Sequence, residues 1–118
     1  MPLSRAHRSA FRREVRRAGR VFSIRDEGGF PIARDADGTR AVPFWSKPSR
    51  ARRVVEQVAA YRTFDVVEID LDEWADRWLP RLKRDGLLVG VNWAGARATG
   101  YDMTVAEVAA WFADARAN

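Results

Sequence analysis

The chain has 118 residues, 47% hydrophobic and 31% charged, with a net charge of +5, a length that supports one compact domain and not two. It has no cysteine, which excludes disulfide frameworks, thiolate zinc sites, iron–sulfur clusters and cysteine nucleophiles, and its single histidine, His7, excludes a two-histidine metal site within one chain. No apolar run approaches the roughly 20 residues that span a bilayer, and no apolar stretch follows the N-terminal arginines as in a secretory signal, so a cytoplasmic domain is expected.

Residues 3–18 read as an amphipathic helix. At about 100° per residue, Leu3, His7, Ala10, Phe11, Val15 and Ala18 share one stripe, with the arginines opposite. The basic character is local: the first 20 residues hold seven arginines and one acid, Glu14, whereas the other 98 hold 14 basic and 15 acidic side chains. Residues 1–6 are expected to fray. Gly19 stops the helix. Period two then takes over in residues 20–25, with Phe22 and Ile24 on one face and Val21, Ser23 and Arg25 on the other. Glu27-Gly28-Gly29 reads as a turn, and Phe30 to Arg34 as a short strand that Pro31 marks as an edge or a strand start. Asp35-Ala36-Asp37-Gly38 reads as a hairpin turn. The strand Thr39 to Trp45 follows, with Val42 and Phe44 on one face and Ala41, Pro43 and Trp45 on the other.

A helix opening at Ser46 or Ser49, with Pro48 in its first turn, buries Ala51, Val54, Val55 and Val58. Phe64 to Ile69 is a strand. Asp70 and Glu73 form a capping box for a third helix with an apolar face of Leu71, Trp74, Ala75, Trp78, Leu79 and Leu82. Pro80 predicts a kink or broken turn there, and Gly86 ends the helix. Leu87 to Trp93 alternates, with Leu87, Val89, Val91 and Trp93 on one face. A strand near Ala98 to Asp102 pairs with it. Thr104 and Glu107 form a second capping box, opening a helix that buries Val105, Val108, Ala109 and Phe112. The expected architecture is one α+β domain spanning 1–118, with about four helices over a small, largely antiparallel sheet.

The order of features resembles a small bacterial family catalogued as domain of unknown function 2750. The resemblance rests on Arg20-Val21-Phe22-Ser23-Ile24, Ala41-Val42-Pro43-Phe44-Trp45, Glu68-Ile69-Asp70-Leu71-Asp72-Glu73-Trp74 and Trp78-Leu79-Pro80-Arg81-Leu82. It covers about residues 7–115. Its most specific pieces are Pro43-Phe44-Trp45 and Trp78-Leu79-Pro80 at this separation. The chain departs from the family's pattern at Asn92-Trp93, where a Phe-Pro pair is expected. The resemblance implies an intact domain and brings no catalytic residues or cofactor with it.

The chemistry-bearing residues have plain structural readings. His7 lies on an apolar stripe, with no nucleophile or orienting carboxylate signalled nearby. Asp35 and Asp37 echo a calcium loop without its later ligands. Asp65, Glu68, Asp70, Asp72 and Glu73 form an acidic cluster that could serve hydrolysis, yet acids also favour helix N-termini. No phosphate-binding glycine loop or nucleophile elbow occurs. No catalytic residue, metal or cofactor is therefore assigned. Trp45 and Trp111 stand outside their neighbours' buried periodicity. If exposed, they mark a site for a protein partner or a second copy. Arg12, Arg13, Arg16 and Arg17 offer a nucleic-acid alternative. The first reading is thus a non-catalytic protein-binding or regulatory module. Nucleic-acid association and a small hydrolase built on the cluster near Asp70 are the alternatives, and no membrane role is expected.

Overall fold

A computed structural model describes residues 3–34, 38–95 and 99–116, with 3–7, 99 and 114–116 described in backbone only. The expected placement of the His7 side chain and the turn at Asp35, Ala36 and Asp37 lie outside the described residues. Helix α1 (Leu3–Ala18) has the predicted span. It ends where Gly19 takes φ +72° and donates its N–H to Val15 O at 2.8 Å, the left-handed terminus that glycine adopts without a Cβ penalty.

Strand β1 (Arg20–Arg25) follows, and β2 (Ala33–Arg34) is shorter than the predicted Phe30–Arg34. Then come β3 (Arg40–Phe44), helix α2 (Pro48–Gln57), a 3-10 turn at Ala59–Tyr61 and β4 (Asp65–Asp70). A single helical run comprises α3 (Leu71–Glu73), a π turn (Trp74–Trp78) and α4 (Leu79–Arg84). Strands β5 (Leu88–Ala94) and β6 (Thr99–Met103) and helix α5 (Val105–Arg116) complete the chain.

β1 and β4 pair antiparallel, Arg20 opposite Asp70 and Arg25 opposite Asp65. The other strands lie in the order β2-β3-β5-β6, and among them only β3 and β5 run parallel. The two sheets join where Phe22 and Trp45 exchange both backbone hydrogen bonds, at 2.8 and 2.7 Å. Counting α3 to α4 as one helix, the fold is the expected α+β arrangement of four helices on mostly antiparallel strands.

Alternation along the strands supplies two apolar faces. Val21, Val42, Phe44, Val89 and Val91 face Phe11 and Val15 of α1, Trp74, Leu79 and Leu82 of the helical run, and Val108 and Phe112 of α5. Phe22, Ile24, Ala41 and Trp45 face Ala51 and Val54 of α2. Helices therefore cover both sides of the strands.

Several local expectations are corrected. Trp93 does not share a face with Leu87, Val89 and Val91; it joins the α2 side. The cause is Asn92, which takes φ +49° where the register shifts between Val91 and Ala94, breaking the two-residue period. Asp70 occupies the cap position of α3 but makes no side-chain cap bond, so that capping box does not form. Lys47, not Ser46 or Ser49, precedes α2. Ala109 is exposed. The break expected at Pro80 takes the form of a widened turn just before it, in which Leu79 donates to Trp74 O. Proline has no N–H and crowds the carbonyl four residues back, and a wider turn accommodates both.

Candidate functional site

The parallel pair β3 and β5 places Ser46 and Asn92 side by side at their C-terminal ends, beneath the gap between α1 and α2. Asn92 is 4% exposed. Its Oδ1 accepts the Ser46 N–H at 3.0 Å, and its Nδ2 donates to Ser46 Oγ at 3.1 Å. Ser46 Oγ in turn donates to Glu14 Oε1 at 2.7 Å. Arg50 grips the same carboxylate in a two-pronged bond, Nη1 to Oε1 at 2.5 Å and Nη2 to Oε2 at 3.2 Å, and Lys47 Nζ stands 3.3 Å from Oε2. Burial pushes the Glu14 carboxyl up, but the Ser46 and Arg50 hydrogen bonds, the Arg50 charge and Lys47 together hold it below its ordinary value. Both carboxylate oxygens are committed, so this group serves as a strut between α1 and α2 rather than as an acid or base.

A basic surface lies outside the strut. Arg12, Arg13, Arg16 and Arg17 are all exposed and, with Ser9, line a shallow depression on α1. Arg17 also lines the groove between α1 and α2, with Arg20, Lys47 and Arg52. The four arginines picked from sequence are thus brought together, and the groove adds Arg20 of β1, Lys47 at the start of α2 and Arg52 of α2, which helical periodicity did not connect with them.

At the other end of β3, Phe30, Ile32, Val42, Trp78, Leu82 and Leu87 line an apolar depression of ≈ 380 Å³. The Trp78 ring is held edge-on by Phe30 at 4.4 Å and by Phe44 at 5.8 Å between centroids. Arg77 and Arg81 stand on the rim with Glu73 and Asp85. Ile32 is 53% exposed and is the one large hydrophobic residue exposed among the described residues.

The two tryptophans singled out from sequence do not form an exposed pair. Trp45 is 0% exposed, and its Nε1 donates to Trp93 O at 2.8 Å. It points to the sheet face that α2 covers. Trp111 is half-buried, with its ring against Phe11 and Phe112 and the Arg12 guanidinium 6.0 Å from its centroid. The acidic cluster is dispersed: Asp65, Glu68 and Glu73 line three different depressions. Among the described residues no group of three or more acidic, histidine or cysteine side chains could hold a metal ion, and no helix is long and apolar enough to cross a membrane. Sequence reading missed the polar strut and the apolar depression. The signals available were Glu14 as the lone acid among seven arginines, and Asn92 interrupting an apolar strand.

A family model described as "Protein of unknown function (DUF2750)" matches residues 8–111. Neither the curated proteins nor the solved structures contain a match.

Proposed function

The chain belongs to the DUF2750 family of proteins of unknown function, and we propose that it is a non-catalytic protein-binding module whose partner inserts an apolar side chain between Phe30, Ile32 and Trp78. The observation that carries this reading is the exposure of Ile32 beside two half-buried aromatic rings. Aromatic and aliphatic anchors in a small depression are the usual centre of a protein interface. On the rim, Asp85 pairs with Arg84 at 3.7 Å, while Arg77, Arg81 and Glu73 have no ion pair with any described residue; this leaves a positive excess, so the matching segment carries an acidic residue next to its apolar anchor. The dispersal of Asp65, Glu68 and Glu73 and the full engagement of Glu14 favour binding over hydrolysis. A cytoplasmic location belongs to the same reading and agrees with the lack of cysteine.

The test is selection from a displayed library of random 12-residue peptides on the wild-type protein, counter-selected on Ile32→Asp. Enrichment of peptides pairing Leu, Phe or Trp with Asp or Glu is the expected result. No peptide distinguishing the two proteins would sink the proposal. Light scattering provides a second arm: self-association that Ile32→Asp abolishes would replace the partner by a second copy and overturn the reading as stated.

A further inference from the structure

We propose that the basic surface running from the outer side of α1 into the groove between α1 and α2 binds the phosphodiester backbone of nucleic acid. This site is separate from the apolar depression and stands or falls independently of it. The depression on α1 and the groove, ≈ 500 and ≈ 720 Å³, adjoin at Arg17, which lines both. Among the described residues two acids line the groove, and each is already engaged. Glu14 is taken up by Ser46, Arg50 and Lys47, and Glu68 pairs with Arg20 at 3.3 Å. Arg13, Arg16, Arg17 and Arg52 form no ion pair with any described residue. No described acid therefore pairs with these four cations along the two adjoining depressions.

The same contacts fix the geometry. Arg50 on α2 grips Glu14 on α1, so the two helices that carry the cations are held at one spacing. The spacing of the two helices is therefore preset, and only the exposed arginine side chains are left to be ordered on binding.

The character of the surface selects the class of ligand. Protein interfaces carry an apolar centre inside a polar rim. Among the described residues no exposed large hydrophobic side chain lies in this groove; the one such residue, Ile32, lines the other depression. Nucleic-acid interfaces are instead polar and strongly positive. Trp111, the aromatic ring beside Arg12, is half-buried against Phe11 and Phe112, so the surface offers cations to phosphates and no stacking platform to bases. Binding of this kind positions the backbone without reading sequence.

Fluorescence anisotropy with labelled 20-nucleotide single-stranded RNA, single-stranded DNA and duplex DNA, at low and moderate salt, tests the proposal. The wild type binds at low salt, and affinity falls steeply as salt rises. The triple variant Arg13→Gln/Arg17→Gln/Arg52→Gln, at exposed positions, binds at least tenfold more weakly. Its slope of log affinity against log salt is shallower by about two for the single strands and about three for the duplex. A charge-matched control, Arg34→Gln/Arg62→Gln/Lys83→Gln, leaves binding unchanged. The proposal is overturned by no binding at low salt, by equal loss in the control, or by polyglutamate displacing the oligonucleotides as readily as unlabelled nucleic acid does. The last outcome would assign the surface to an acidic protein.

Discussion

The indole of Trp93 occupies the space that a side chain at Gly90 would need: a Cβ added there would stand 2.4 Å from Trp93 Cε2 and Cζ2. The ring also closes over Gly100, where an added Cβ would meet Trp93 Cδ1 at 2.6 Å. Its Nε1 donates to Asp102 Oδ1 at 3.0 Å, which anchors the ring across β5 and β6. Gly90→Ala therefore forces the ring or the strand to move. Overpacking of this kind costs about 1–3 kcal/mol, to be read from urea denaturation. An unchanged midpoint would mean that the ring has another place to go.

Trp93 reaches that position because Asn92 turns the strand over, and Asn92 has two jobs that substitution can separate. It holds φ +49°, and it satisfies the buried Ser46 N–H. Asn92→Gly keeps the backbone freedom and loses the hydrogen bonds, at about 1–3 kcal/mol. Asn92→Ala loses both and is the less stable by a further ~1 kcal/mol, the penalty for a Cβ in the left-handed region. Equal stabilities would show that φ contributes nothing.

Glu14 makes folding sensitive to acid. Its folded-state pKa lies below the ordinary 4.5. The stabilisation is therefore fully present above that value and is lost as pH falls through the folded-state pKa. Glu14→Gln leaves Arg50 and Lys47 without their partner and destabilises by about 1–3 kcal/mol at neutral pH. The gap between wild type and variant narrows as pH drops below the carboxylate range, because the protonated wild type resembles the amide. Denaturant midpoints of both proteins across that range measure it. A constant gap would show that the charge of Glu14 is immaterial.

The sequence predicts two capping boxes of similar pattern, and one of them forms. Thr104 N donates to Glu107 Oε1 at 2.9 Å, and Glu107 N donates to Thr104 Oγ1 at 3.1 Å. Asp70 closes β4 opposite Arg20 and its side chain caps no N–H of α3, whose first N–H, at Leu71, donates to Gly19 O at 3.0 Å. Thr104→Ala thus costs about 1 kcal/mol, while Asp70→Ala falls within about half a kcal/mol of wild type. Thermal unfolding of the two variants distinguishes them, and equal losses would contradict the assignment.

The same contrast explains what was legible. The span of α1, the alternation of β1 and the Thr104–Glu107 box are set within one turn or a few alternating residues, where burial on one side imposes the pattern. The face of Trp93 depends on one left-handed residue, which period-two counting cannot anticipate. The strut joins Glu14, Ser46, Arg50 and Asn92 across three elements, and only the packed fold brings them together. The burial of Trp45 turns on whether α2 covers the second side of β3. The apolar depression depends on how Ile32 leaves the edge of β2, which the short Phe30–Arg34 run does not reveal.

Two buried tryptophans with opposite polar surroundings give the last prediction. Trp45 and Trp74 are both fully buried. Trp45 Nε1 donates to Trp93 O, whereas Trp74 Nε1 has no acceptor among the described residues and stands among Phe11, Phe44 and Phe112. Replacing either by Phe removes the same atoms and leaves a comparable void. At position 45 the change also orphans a buried carbonyl, at about 1–3 kcal/mol; at position 74 it removes a donor that was already unsatisfied. Trp45→Phe is therefore the more destabilising by about 1–2 kcal/mol in matched urea titrations. The reverse order would mean that the Trp74 N–H draws more from the surrounding ring faces than Trp45 draws from its carbonyl.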